Sequence, residues 1–281
     1  MSTTPGGSLA PGALPSGALA PGPLDHGRLK ARLAAGEATF GIFVGGASSL
    51  VAEACAASGV DWLLLDLEHG GGGEEQLRTT IPAGAAYSVP TIVRAETTER
   101  IRAGRILDQG AAGVMFPRVD SAEMAAQAVR AMRYPPAGVR GVATYNRACR
   151  FGLDPGALER ADDEGLCVIQ IESLGALAQV EQIAALDGVD VLFVGPRDLS
   201  HALGVPGQID APIFREATDA VLAAGRRHGK AIGFLVGDGG AAARWAEAGW
   251  QFIAIGSDTT VLASALRREL GAAHTSSSEA S

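Results

Sequence analysis

Short apolar runs alternate with longer amphipathic ones along most of this chain. The runs at 39–44, 60–65, 90–93, 113–116, 167–171, 191–194, 231–235 and 251–255 are rich in Val, Ile, Leu and Phe. Each reads as a strand buried on both faces, as strands of a parallel sheet are. Between them, 29–35, 48–58, 74–87, 98–109, 121–133, 173–186, 212–228, 241–248 and 260–270 carry helical spacing. Ser48-Ser49 and Ser121 supply N-caps, while Gly59 and Gly110 end their helices. Pro82 predicts a kink or interruption in 74–87, and 134–154 is a long connection. About eight βα units in a row predict a (β/α)₈ barrel. An open doubly wound sheet is the alternative, but no glycine-rich fingerprint opens the first βα turn.

Residues 1–24 break the pattern: they are rich in Pro, Gly, Ala and Ser without any period, which predicts a disordered tail. Residues 25–271 form the single barrel domain, and 272–281 read as a flexible C-terminal tail in which His274 is solvated. With 281 residues, 47% of them hydrophobic, the chain can bury one large core. A net charge of −8 without a basic cluster argues against a nucleic-acid partner. No apolar run reaches the roughly 18 residues that a bilayer span requires. The N-terminal stretch has no basic region or unbroken apolar core of the signal-peptide kind. Cys55, Cys149 and Cys167 are scattered without metal-ligand spacing and read as reduced thiols of a cytoplasmic protein.

In a barrel, catalytic groups gather at the C-terminal ends of the strands. The fifth run ends in Gln170-Ile171-Glu172, and the sixth is followed by Gly195-Pro196-Arg197-Asp198. If these strands are parallel neighbours, Glu172 and Asp198 emerge at one edge, where two hard oxygen ligands suit a divalent cation. Helix capping is the plainer role for the same two acids. The second run ends in Asp66-Leu67-Glu68-His69, with four glycines after it, and Arg94 follows the third. Taken singly, these residues suit ordinary loop networks and ion pairs. Their convergence on one rim points to a site.

Several segments together resemble the HpcH/HpaI aldolase/citrate lyase family, specifically its metal-dependent class II pyruvate aldolases. They are 60–69 (ending Asp66-Leu67-Glu68-His69), Val93-Arg94, Leu107-Asp108-Gln109-Gly110-Ala111, 133–141 (Arg133-Tyr134-Pro135-Pro136 through Gly141), Gln170-Ile171-Glu172 and 195–200. They run in family order across about 39–270. The resemblance implies a barrel of the phosphoenolpyruvate/pyruvate-binding type. It implies reversible cleavage of a 4-hydroxy-2-oxo acid or 2-keto-3-deoxy sugar acid to pyruvate and an aldehyde, through a metal-stabilised enolate. Glu172 and Asp198 would hold Mg²⁺, Mn²⁺ or Co²⁺, and Arg94 would hydrogen-bond the keto oxygen. His69, oriented by Asp66, would be the acid/base. Gln170 would orient pyruvate or water, and the backbone from Gly195 and Pro196 to Asp198 would hold the pyruvate carboxylate.

The resemblance further implies a homo-hexamer in which the last helix is exchanged between protomers. Arg197 stands where family members often carry a small or uncharged residue. It either reads a carboxylate on the acceptor or turns outward. Residues 143–152 also depart from the family pattern. A citrate-lyase-β-like acyl-CoA lyase is the enzymatic alternative, and a non-catalytic metabolite- or metal-binding homologue the other.

Overall fold

The computed structural model describes residues 26–278. The tail expected over 1–24 lies outside the described residues, as do 279–281. The strands are β1 Thr39–Val44, β2 Trp62–Asp66, β3 Thr91–Arg94, β4 Gly113–Phe116, β5 Leu166–Ile171, β6 Val191–Val194, β7 Ala231–Val236 and β8 Phe252–Ser257. Each pairs in parallel with the next and β8 returns to β1, so the sheet is a closed eight-stranded barrel. The helices are α1 His26–Ala34, α2 Ser49–Ala57, α3 Leu77–Ala85, α4 Arg100–Asp108, α5 Ala122–Met132, α6 Ala157–Glu164, α7 Leu174–Ala178, α8 Val180–Ala184, α9 Pro196–Ala202, α10 Pro212–His228, α11 Gly239–Glu247 and α12 Asp258–Ser278.

Side-chain parity divides the core into two layers. One set points into the barrel: Phe43, Trp62, Leu64, Ile92, Met115, Val168, Phe193 and Phe252 pack there with Leu29 and Leu33 of α1. Trp62 stacks on Phe252 with ring centroids 3.8 Å apart, and its indole N–H donates to Thr39 Oγ1. The alternate positions, such as Leu63, Leu65, Val93, Val114, Ile169 and Val194, face the helices in a larger outer cluster. Burying both faces is what makes each strand read as an unbroken apolar run.

The helices depart from the sequence expectation in five places. Helix 74–87 begins with a 3₁₀ turn at Glu74–Gln76, and α3 then continues through Pro82, held by the fully buried Leu77 and Ile81. The segment 173–186 splits at Gln179, which leaves helical geometry while its side chain accepts from the Ala122 N–H at the start of α5. The helix α6 was missed because it is only eight residues long, with Ala157, Leu158 and Ala161 as its only apolar residues and each only half-buried, too short a run to establish a period. The strand-breaking Gly195-Pro196 also opens α9, with proline in the first turn where its missing N–H costs nothing. At the end of the chain, α12 stays helical to Ser278, through part of the stretch read as a flexible tail. No helix among the described residues is long and apolar enough to cross a membrane.

Candidate active site

Parity also selects which polar residues meet. Asp66 follows Trp62 and Leu64 on the inward face of β2, and its register partner on β3 is Arg94. Gln170 continues the inward series of Leu166 and Val168 on β5, opposite Phe193 of β6. A polar layer therefore sits on the apolar plug at the C-terminal mouth, the end where (β/α)₈ barrels carry their chemistry.

Arg94 is the most constrained member of that layer. Its Nε and one terminal nitrogen donate to the two oxygens of Asp66 at 2.8 and 2.7 Å. The other terminal nitrogen lies 3.0 Å from Glu68 Oε2. The guanidinium stands 5.3 Å from the Phe43 ring centroid. Burial alone would raise the Asp66 carboxyl, but the bonds from Arg94, its charge and the backbone N–H groups of His69 and Glu68 outweigh it and hold the pKa below the usual range. Glu68 goes the other way, raised chiefly by burial despite the attraction of Arg94.

His69 is arranged differently from the expectation. Asp66 touches its backbone N–H (3.2 Å), not its ring, because Arg94 occupies both carboxylate oxygens. The ring lies on the cavity rim, 68% exposed, with Nε2 3.8 Å from Glu68 Oε2. The glycines after it let the loop double back: a Cβ on Gly70 would run into the Asp66 carbonyl oxygen. Gly71 then donates to the Gly45 carbonyl at 2.8 Å.

Glu172 is 3% exposed. Its Oε1 accepts from the Arg118 N–H at 2.7 Å, and Oε2 accepts from the Gln170 side-chain amide at 2.8 Å. Arg118 adopts a left-handed backbone (φ 53) to aim that N–H, a strain of the kind that functional sites store. Burial pushes the Glu172 carboxyl up, and the charges of Asp198 and Glu68 add to it against the pull of Arg118. Gln170 Oε1 is buried with no hydrogen-bond partner among the described residues. Gly195 borders Glu172 so closely that a Cβ would sit 2.5 Å from Oε2.

Among the described residues no group of three or more His, Cys, Asp or Glu is arranged to hold a metal ion. The set here is sparser: a crowded, buried carboxylate at Glu172, an exposed one at Asp198, and the orphan oxygen of Gln170. All are hard oxygen donors, and they fit a divalent cation that takes its remaining ligands from water and substrate.

These groups border one cavity of about 1090 Å³, walled by Phe43, Phe193 and Leu235 and lined by Asp66, His69, Arg94, Gln170 and 195–198. Eight of the nine residues singled out in the sequence thus line a common wall, with Glu172 bonded to Gln170 beside it. Asp258, read from the sequence as one more polar group at the rim after the eighth strand, is buried and accepts from the N–H groups of Gly45 (3.1 Å), Gly46 (3.0 Å) and Thr259 (2.7 Å). It ties the β1 loop to the start of α12, and an acid directly after an apolar strand was its only signal.

The model of one protein family, HpcH/HpaI aldolase/citrate lyase, matches residues 39–265. The chain belongs to the HpcH/HpaI family. Among its relatives, the hydroxypyruvate/pyruvate aldolase of Sagittula stellata is 40% identical over 238 residues, 85% of this chain and 94% of that protein. The 4-hydroxy-2-oxo-heptane-1,7-dioate aldolase of Escherichia coli is 38% identical over 84% of this chain and 90% of its own. A crystal structure of an HpcH/HpaI aldolase/citrate lyase family protein from Burkholderia cenocepacia superposes with a TM-score of 0.84 at 38% identity. It covers 88% of this chain and 99% of that one.

Proposed function

We propose that the chain is a class II pyruvate aldolase, a carbon–carbon lyase that reversibly cleaves a 4-hydroxy-2-oxo acid or 2-keto-3-deoxy sugar acid to pyruvate and an aldehyde. The observation that carries this reading is the convergence at the barrel mouth of Arg94 from β3 with Gln170 and Glu172 from β5, with Asp198 beside them. The aldolase names of two relatives near 40% identity support it.

Glu172 and Asp198 would hold the divalent cation, with Mg²⁺, Mn²⁺ or Co²⁺ as candidates. When bound, the cation supplies Lewis acidity toward the 2-oxo group. Arg94 does the matching work from the protein side. Asp66 and Glu68 fix its fork, leaving the second N–H of each terminal nitrogen for the keto oxygen. Those bonds strengthen as negative charge gathers on that oxygen during C–C cleavage. Gln170, held through its amide nitrogen by Glu172, offers Oε1 to a water or to pyruvate. The backbone at 195–198 borders the pyruvate carboxylate. His69, on the rim, takes the proton from the C4 hydroxyl on cleavage and returns it in condensation.

The enzyme would act in the cytoplasm, in keeping with three free cysteines. It would assemble through α12, whose Val261, Leu262, Leu266 and Leu270 are 44–61% exposed. Exchange of this helix in a hexamer would cover them. The test of the activity is pyruvate release from oxaloacetate and from 4-hydroxy-2-oxo acids, followed with a coupled dehydrogenase. Release from neither substrate in protein supplied with each cation would refute the assignment.

A further inference from the structure

A second cavity of about 300 Å³ adjoins the first at the mouth of the barrel. Pro196 and Arg197 of α9 border both. Ile209 of the α9–α10 connection, Gly237 of the β7–α11 turn, and Phe234 and Trp245 are among its other lining residues. Phe234 and Trp245 are stacked, with centroids 3.9 Å apart and planes 15° from parallel. Phe234 is buried while Trp245 is only half-buried, so the indole is the accessible part of the pair. Among the described residues, Arg197 is the one charged residue that borders this cavity. Its side chain is exposed, and its guanidinium makes no ion pair or hydrogen bond among the described residues. Asp238, the nearby acid of the β7–α11 turn, caps α11 through the Ala241 N–H at 2.8 Å.

A partnerless guanidinium beside an aromatic and aliphatic wall recognises a ligand that is anionic at one end and apolar at the other. We infer that this side cavity binds a small carboxylate with a compact apolar or aromatic body. The carboxylate meets Arg197, and the body lies against Trp245, Ile209 and Pro196. The size fits: a cavity of about 150 Å³ accommodates benzene, so this one has room for a ring and a short chain. Because Arg197 also borders the main cavity, the ligand sits beside the reacting aldehyde. It is either the far end of the acceptor or a separate carboxylate that binds alongside the acceptor. The first of these consequences rests on the aldolase reading; the binding itself does not.

The test uses the full-length protein and 3-phenylpropionate as probe, with binding followed by calorimetry or ligand-observed NMR. Wild-type protein should bind it, and the neutral 3-phenylpropanamide should bind at least tenfold more weakly. Arg197→Ala should weaken the carboxylate at least tenfold, with Arg197→Lys intermediate. Ile209→Trp, at a partly exposed position, should fill the cavity and abolish binding without a loss of thermal stability. Equal affinity for acid and amide, unchanged binding in Arg197→Ala or Ile209→Trp, or no binding to the wild type would overturn the inference. In the condensation direction, inhibition competitive with the aldehyde assigns the cavity to the acceptor, and mixed inhibition assigns it to a separate ligand. Absence of any aldolase activity would sink the functional proposal and leave the binding result standing.

Discussion

Asp66 and Arg94 are register partners on neighbouring strands, and their side chains close a two-bond fork at 2.7 and 2.8 Å over the apolar plug of the barrel. Both are nearly buried, at 8% and 11% exposure. The pair is thus a rigid platform, and what Arg94 presents to the cavity follows from what Asp66 holds back. Lysine can reach the same region but cannot keep both bonds to Asp66 and still point a donor at a ligand. Arg94→Lys should therefore lower kcat/KM about 10²–10³-fold, the scale for losing one preorganised donor to a developing oxyanion. Steady-state kinetics on a 4-hydroxy-2-oxo acid would show it, with the loss mainly in kcat.

The same pair sets an acid dependence of stability. The native Asp66 carboxyl titrates below its unfolded value, near 3.9. As pH falls, the unfolded chain therefore takes up that proton first. The stabilisation from the pair is complete above about pH 5 and is lost as pH drops through the lowered native pKa. Asp66→Asn lacks this dependence. Its urea midpoint should lie below that of the wild type by a constant interval above about pH 5, and the interval should close below about pH 4. An interval that widened toward acid would contradict the sign.

His69 is expected to serve the hydroxyl proton alone. His69→Ala should slow aldol cleavage by about 10²–10⁴-fold, the usual scale for one general acid or base. Decarboxylation of oxaloacetate, which has no such proton to move, should fall much less. Equal losses in both reactions would assign His69 to the keto end of the substrate instead.

Gly195 tests the crowding around Glu172. A methyl group there would sit 2.5 Å from Glu172 Oε2 and 3.0 Å from its Cβ. Gly195→Ala should force the Glu172 side chain aside at a cost of about 1–3 kcal/mol. Cation affinity should drop while circular dichroism stays that of the barrel. Unchanged affinity and melting temperature would show that the space is not needed.

The strand runs and the inward layer were legible because both depend on local pattern. Asp66, Arg94, Gln170 and Glu172 all sit where apolar runs end, and a barrel brings those ends together whatever the helices do. The orientation of the His69 ring was not legible, since it turns on which neighbour occupies the Asp66 oxygens, and that neighbour lies 28 residues away. Likewise, Trp62 fills the barrel only because Gly41, its register partner on β1, has no side chain. The helix α6 has only three apolar residues in eight, too few to mark a period. The side cavity lies between α9 and α11, which no single stretch brings together.

The central claim, a cation held by Glu172 and Asp198 at the mouth of the barrel, is tested most directly by titrating Mn²⁺ into fully chelated protein. Wild type is compared with Glu172→Ala and Asp198→Ala, and aldol cleavage is measured on the same samples. The expected result is stoichiometric binding and restored turnover in the wild type, no turnover before Mn²⁺ is added, and loss of both in each variant with the fold intact. Full turnover in the chelated wild type, or Mn²⁺ binding that survives both substitutions, would contradict it.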